Sequence, residues 1–202
     1  MAISNYTELT DAISAWLDVS TESISSVVSN LVLMGEARIM RELRTPEMET
    51  AMGVTISSGV IAVPTDLAEL KYAYVDINPT QYLQMVPTSY IYDRYPTRSS
   101  EGKPQFMARD GSNFIFGPYP DSDYVIRGTY FKHLTGVQTT INGLFTANPD
   151  LYLFACLAET EPLLGRDPRV QLWEAKYRMV KELVNGEANG SRLGGNLSIR
   201  PG

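Results

Sequence analysis

The sequence predicts an α+β protein in which N- and C-terminal helices form a helical bundle, with an inserted antiparallel β domain and an extended C-terminal arm. Apolar residues recur at helical spacing near both ends of the 202-residue chain. Between Met48 and Lys132 the apolar period changes to two, which is typical of strands. The last stretch is rich in glycine and cannot bury enough apolar surface to order itself.

These changes of pattern divide the chain into four segments. With 202 residues, 44% of them hydrophobic, the chain is long enough for one domain with a sizeable insertion. The predicted segments are the N-terminal helices at 1–46, the β insertion at 47–133, a C-terminal helical hairpin at 134–184 that completes the bundle, and the arm at 185–202.

Two helices are predicted in the first segment, near 6–18 and 22–44. Asn5 and Glu8 have the spacing of a capping box. Charged residues of both signs crowd the end of the second helix, and they have two interpretations. They either stabilise an exposed helix through Glu-to-Arg pairs or reach a neighbouring subunit, where arginine is enriched. These inter-subunit candidates are Glu36, Arg38, Arg41, Glu42 and Arg44.

The middle segment is predicted to consist mainly of short strands. The clearest feature is a hairpin around Asp110-Gly111, because glycine supplies the positive φ of a tight turn. A loop is predicted at 133–147. Strands are predicted at 50–56, 60–63, 69–77, 81–86, 105–109, 113–116 and 123–132, with a short helix at 88–95.

The third segment contains two helices joined near Gly165. Asn148 is predicted to cap the first helix with its side chain, ahead of Pro149. Asp167 is predicted to cap the second helix in the same way, ahead of Pro168. Apolar side chains at helical spacing then predict the core of this hairpin, namely Leu151, Phe154, Trp173, Tyr177 and Val180.

The final segment is predicted to begin where Asn185-Gly186 ends the last helix. Its apolar and basic residues alternate with polar ones, and two interpretations stay open. The segment is either a frayed terminus or an extended arm that adds to a partner's groove or sheet edge. The candidate contact residues of the arm are Arg192, Leu193, Leu197, Ile199 and Arg200.

Composition argues against a protein that grips nucleic acid. The net charge is −6 and the sequence pI about 4.9, whereas such proteins usually carry a basic surface. No apolar run is long enough to predict a membrane span, and the N-terminus does not resemble a signal peptide. A single cysteine, Cys156, inside an apolar helix is compatible with synthesis in a cytoplasm.

Catalytic motifs are not evident in the sequence. The one histidine, His133, lies in a predicted loop, and no phosphate-binding glycine loop or paired metal motif occurs. Glu159 and Glu161 suggest a carboxylate pair, but residues two apart on a helix point roughly 200° apart. We therefore expect no enzyme activity, no metal and no cofactor, with a peptidoglycan hydrolase as the alternative.

Three groups of residues together resemble one known family. They are the run Asn-Pro-Asp-Leu-Tyr-Leu at 148–153 with Glu161-Pro162-Leu163-Leu164, Trp173 and Tyr177 after it; the stretch 36–44; and Val63-Pro64-Thr65-Asp66-Leu67. The chain thereby resembles the head-to-tail adaptor, or connector and head-completion, proteins of tailed bacteriophages.

The resemblance implies a structural protein of the virion neck, made in the host cytoplasm. It implies a homo-oligomeric ring, a dodecamer, that binds the portal protein, extends the DNA channel and offers a platform to tail or nozzle proteins. Genomic DNA would pass without sequence-specific binding, and no membrane is involved. A soluble assembly factor absent from the virion is a further alternative.

Overall fold

The chain forms two compact units in a computed structural model that describes residues 3–18, 21–96, 100–160 and 167–193, with the side chains of 21–25 and 191–193 left out. One unit comprises Met1–Glu47 and Leu134–Gly202, and the other comprises Met48–His133. The first is helical and the second contains all the described strands, so the α+β prediction is confirmed.

The described residues form six α-helices, eight strands and a 3₁₀ turn at Pro46–Met48. The helices are α1 (Tyr6–Leu17), α2 (Thr21–Glu42), α3 (Thr88–Arg94), α4 (Gly143–Ala147), α5 (Pro149–Ala158) and α6 (Pro168–Leu193). The strands are β1 (Glu49–Ile56), β2 (Val60–Ala62), β3 (Leu67–Val75), β4 (Gln81–Tyr82), β5 (Gln84–Met85), β6 (Phe106–Asp110), β7 (Asn113–Gly117) and β8 (Tyr124–Lys132).

Helix α1 begins at a side-chain cap, as its sequence predicts. Asn5 Oδ1 accepts a hydrogen bond from the Glu8 amide at 2.9 Å. The Glu8 carboxylate turns back one residue further than a capping box requires, and accepts from the Ser4 amide and hydroxyl at 2.6 and 2.7 Å. The helix ends at Asp18, a residue in the left-handed region with φ of 59°.

Helix α5 is the centre of the helical unit. It is apolar on nearly every side, and it packs against α1, α2, α4 and α6. Its approach to α2 is close, because a Cβ added to Gly35 would lie 2.9 Å from Cys156 Sγ and 3.0 Å from the Cys156 amide nitrogen. A glycine at this position of α2 therefore lets the two helix backbones meet.

Two predictions at the start of α5 are wrong. The segment 133–147 is not a loop throughout, because its last five residues form α4, capped by Asn142 Oδ1 accepting from the Phe145 amide at 2.9 Å. Asn148 does not cap α5 with its side chain. It is shared by the two helices, and its amide donates to the Leu144 carbonyl at 2.9 Å to close α4.

The predicted end of the last helix is also wrong. Helix α6 continues through Asn185-Gly186 to Leu193. A glycine costs about 1 kcal/mol in a helix interior, which does not end a helix that still has apolar side chains to bury. Val184 and Ala188 on either side of this glycine are both buried, and their burial explains why α6 continues.

The strands of the second unit form two four-stranded sheets, in the orders β1-β8-β3-β4 and β2-β7-β6-β5. All described strand pairs are antiparallel, as predicted, except β5 with β6, which is parallel and makes the second sheet mixed. The short strands β4 and β5 follow one another, and one residue between them separates the two sheets in the chain.

The inner faces of the two sheets share one apolar core. Helix α3 covers part of the second sheet through a smaller cluster built on Ile91, Ala108 and Ile115. The shared core consists of Met52, Ile56, Ala73, Val75, Ile126 and Tyr130 from the first sheet, Ile61, Met107, Phe114 and Phe116 from the second, and Leu83 between β4 and β5.

Two glycines decide local geometry in this unit. The β6–β7 hairpin pairs Asp110 with Asn113, and Gly111 between them has φ of 59°, as the predicted turn requires. Gly128 lies in the central strand β8, where an added Cβ would collide with the Tyr72 carbonyl and stand 3.0 Å from Ala73 Cα. The register of β3 shifts beside this contact, between Leu70 and Tyr72.

Candidate functional site

The charged end of α2 is tied to α5 and α6 within the same chain by Arg38. Its Nη1 and Nη2 bind the Glu174 carboxylate at 2.8 and 2.9 Å, and Nη1 lies 3.3 Å from Glu159 Oε1. Its Nε donates to Glu42 Oε1 at 3.0 Å. The guanidinium also lies over the Tyr177 ring, 4.3 Å from its centroid. Arg38 therefore joins α2, α5 and α6 through a bidentate contact with Glu174 and single contacts with its other partners.

Glu42 extends this network to the middle of α6. Its Oε2 accepts from the Tyr177 hydroxyl at 3.1 Å and from Lys181 Nζ at 2.8 Å. Arg178 Nε adds a bond of 2.7 Å to Glu174. These contacts lie at the edge of the core, where the side chains of Arg38 and Glu42 are 16% and 31% exposed, and they hold α2 and α6 in one position. Arg178 is 68% exposed.

The network changes the pKa values of its members in the directions expected of paired groups. Hydrogen bonding to Arg38 lowers the pKa of Glu174. Burial alone would raise the pKa of Glu42, but hydrogen bonds from Lys181 and Arg38 outweigh it and lower that pKa. The pKa of Arg38 is raised, chiefly by its bond to Glu174. All these groups are therefore held in their charged forms.

Glu36 lies apart from this network and is buried. Its Oε1 accepts a hydrogen bond from the Val137 amide at 2.6 Å, which attaches the segment before α4 to α2. Burial raises the pKa of this carboxyl, and the bond from Val137 offsets only part of the effect. Its charge also contributes to the raised pKa values of Tyr152 and Cys156, in which burial is the larger cause.

The remaining inter-subunit candidates differ from one another in exposure. Arg41 is exposed. Arg44 is half-buried, and its Nη1 donates to the carbonyls of Met40 and Leu43 at 2.8 and 2.7 Å. Of the five candidates, Arg38 and Glu42 are brought together and Glu36 is buried elsewhere, which leaves Arg41 as the one most open to a neighbour.

The predicted core residues of the helical hairpin lie in one apolar cluster of the helical unit. Leu151, Trp173 and Tyr177 are buried, whereas Phe154 and Val180 are half-buried and pack against the cluster. The exposed Trp16 of α1 meets Phe154 edge-on, with ring centroids 5.8 Å apart.

A pocket of about 300 Å³ lies beside the end of α6 within the helical unit. The buried Thr45 Oγ1 at its wall is without a hydrogen-bond partner among the residues that the structure describes. Two carboxylates, Glu47 and Glu187, lie among otherwise neutral lining residues, which are Thr45, Pro46, Ala147, Asn148, Val184 and Ala188. A basic or neutral group fits this lining better than an acidic one.

Most of the residues predicted to form the contacts of the C-terminal arm lie outside the part of the chain that the structure describes. Arg192 and Leu193 are the last residues of α6, and their side chains are not described. Leu197, Ile199 and Arg200 lie outside the described residues, as do Glu161 and the predicted turn at Gly165.

The groups that could support catalysis are separated from one another. His133 is exposed, and Glu159 is engaged with Arg38. Cys156 is buried, and burial raises the pKa of its thiol. Across 3–18, 21–96, 100–160 and 167–193, no three His, Cys, Asp or Glu side chains are grouped to hold a metal ion. None of the helices described is both long and apolar enough to cross a membrane.

Sequence reasoning missed the partners of the Arg38 network. Glu174, Lys181 and Tyr177 lie 135 to 139 residues from their partners on α2, so no local spacing connects them. The sequence signal that could have indicated these contacts is a charged residue at the edge of the apolar stripe on each helix.

Comparison with known families gives one match over nearly the whole chain. The family model described as SU10 adaptor protein matches residues 4–200. A comparison with curated proteins finds no match.

Proposed function

Because the chain belongs to the SU10 adaptor protein family, a family of structural phage proteins, we propose that it is the head-to-tail adaptor of a tailed phage virion. Copies of the chain form a closed ring on the portal vertex, a dodecamer as the family resemblance implies. The ring extends the DNA channel and gives tail or nozzle proteins a surface on which to dock.

The observation that carries this proposal is the family match across residues 4–200, which includes both units of the chain. The net charge of −6 supports it, since a channel wall that repels DNA lets the genome slide past without adhering. In this proposal the helical unit forms the ring wall and the β unit faces neighbours or the tail. Residues 194–202 reach into the portal.

The contacts of Arg38 support a mechanical role. A ring subunit that carries load between two partners needs helices that do not slide. The Arg38–Glu174 and Lys181–Glu42 ion pairs join α2 to α6, and Arg38 also contacts Glu159 at the end of α5. Many weak contacts around a ring then add up to stable attachment.

The test is to mix the purified full chain with portal rings and image the product by electron microscopy. We expect an added ring of density on one face of the portal. A chain ending at Leu193 should keep its unfolding temperature and attach more weakly. The variant Leu197→Ser with Ile199→Ser should behave in the same way, whereas the control Ser198→Ala should attach normally. A full chain that leaves portal rings bare contradicts the adaptor role.

A further inference from the structure

Helix α6 has a second apolar stripe on the side that faces away from the core. Leu172, Met179 and Leu183 are 56%, 57% and 59% exposed. Their spacing of seven and four residues places them within roughly 40° of one another around the helix. The buried residues Trp173 and Tyr177 lie roughly 100–140° away from Leu172 around the helix. Single exposed apolar residues are ordinary, but an aligned row of large ones marks an interaction surface.

Glycines continue this stripe toward the end of the helix. Gly186 and Gly190 follow Leu183 at spacings of three and four residues, so they fall on the same face. A Cβ added to either glycine would meet no atom within 4 Å among the described residues. The stripe therefore offers large side chains over about three turns and then bare backbone, a surface that another helix can approach closely.

Helix α2 presents an apolar face of its own to the outside. Leu33 and Met34 are 54% and 44% exposed, and Ala37 and Arg41 continue the same face toward the end of α2. The buried side of α2 lies opposite, where Val28, Val32 and Ile39 join the core. The helical unit thus carries two separate outward apolar faces, on two different helices.

The charges beside the two faces are complementary. Arg41 lies on the exposed face of α2. Glu182 and Glu187 lie exposed on either side of the α6 stripe, beyond Met179. The nearby Lys181 is paired with Glu42. Lys176 is exposed on the stripe between Leu172 and Met179, so the acidic character belongs to the part of the stripe beyond Met179. A face with an exposed arginine and a face flanked by two carboxylates attract each other.

We propose that the outward stripe of α6 in one copy packs against the outward face of α2 in a second copy. This inference rests on the proposed ring and names the surfaces that build it. Because the two faces differ, each copy uses one face for each neighbour, and contacts of this head-to-tail kind generate a ring when the rotation closes.

The test places one charge in each face and leaves the fold alone. Met179→Glu alters the α6 stripe and Ala37→Glu alters the α2 face, whereas Gln171→Glu is the matched control, exposed on the polar side of α6. All three positions are exposed, so we expect unchanged thermal unfolding. Self-association is measured by sedimentation velocity and native mass spectrometry over a concentration series.

We expect each face variant to weaken self-association by about tenfold or more, because a charge enters an apolar contact, and the control to associate like the wild type. An equal mixture of the two face variants should form a one-to-one dimer and nothing larger, since each partner keeps one intact face. Full-strength association of either variant, a mixture without dimers, or a wild-type chain that stays monomeric overturns the inference.

A second readout separates this inference from the adaptor role. The same variants are supplied to a phage that lacks the gene, and the protein content of purified virions is measured. Normal incorporation of both face variants shows that the interface is wrong while the adaptor role stands. Absence of even the wild-type chain from virions contradicts the adaptor role itself.

Discussion

Two glycines in paired strands of the first sheet differ in the space that a Cβ atom would have. Gly128 of β8 faces the backbone of Tyr72 and Ala73, whereas Gly53 of β1 has nothing within 4 Å of the position of a Cβ among the described residues. Backbone atoms cannot move aside as a flexible side chain can. The same methyl group therefore has different effects at these two positions.

We expect Gly128→Ala to lower the free energy of unfolding by about 1–3 kcal/mol or more, as overpacking does. The matched control Gly53→Ala should be neutral or slightly stabilising, because it restricts the unfolded chain without a clash. Urea unfolding of both variants measures the difference. Equal stabilities would show that β3 does not approach β8 at this point.

Trp173 is one of the largest buried side chains of the helical unit, and the Arg169 guanidinium lies 5.5 Å from its ring centroid. We expect Trp173→Ala to cost about 3–5 kcal/mol through lost burial and the cavity that remains. Its exposed neighbour serves as control, and Leu172→Ala should change the stability of the isolated chain by less than about 0.5 kcal/mol. A loss below about 1 kcal/mol at Trp173 would contradict its place in the core.

At the scale of single elements, local sequence predicted most helices and strands but misplaced several ends. Periodicity and caps are local, so α1 and the β6–β7 hairpin could be read from nearby residues. The continuation of α6 past Gly186 depends on the burial of Ala188 against other parts of the chain, which local propensity does not contain. The local sequence also does not show which strands pair with each other, since the consecutive strands β1 and β2 belong to different sheets.

The candidate site shows the same limit. The sequence singled out Arg38 and Glu42 as charged positions on α2, and their bond to each other follows from their spacing of four residues. Glu174 lies 136 residues from Arg38, so the contact that holds α2 to α6 required the structure. Whether any of these residues also contacts a second copy stays a prediction.

The buried Glu36 carboxyl, which attaches α2 to the segment before α4, should make the free energy of unfolding depend on pH. Burial holds the pKa of Glu36 above its unfolded value, so the buried charge costs stability at neutral pH. That cost decreases as the pH falls from the folded pKa to the unfolded one. Glu36→Gln keeps an oxygen that accepts from the Val137 amide and removes the charge.

We therefore expect Glu36→Gln to be more stable than the wild type at neutral pH, with the gain shrinking as the pH approaches the ordinary carboxyl value of 4.5. Chemical unfolding at a series of pH values measures this. The exposed Glu182→Gln is the control and should show little dependence of this kind. A gain that grows as the pH falls would contradict the sign of the pKa shift.

At the scale of the whole molecule, the β unit is closed on itself. Its first and last strands pair directly, with Glu49 opposite Phe131, so the chain enters and leaves this unit at neighbouring points. Its apolar core is built from its own two sheets. Units with adjacent ends and a core of their own usually fold when separated from the rest of a chain.

We expect residues 48–133, expressed alone, to unfold cooperatively on heating and to give well-dispersed amide resonances. The variant Ile126→Asp in the same fragment should not fold, because it places a charge in the shared core of the two sheets. A wild-type fragment that resembles this variant would show that the β unit depends on the helices.

The close meeting of α2 and α5 at Gly35 also determines how the chain can be labelled. Cys156 is the single cysteine of the sequence, and its thiol is buried with a raised pKa, so the reactive thiolate is scarce and shielded. A cysteine introduced on the surface would be the one site that a maleimide dye reaches in the folded protein. Fluorescent labels could then be attached to chosen positions without altering the native sequence elsewhere, and energy transfer between dyes would report the arrangement of subunits during assembly.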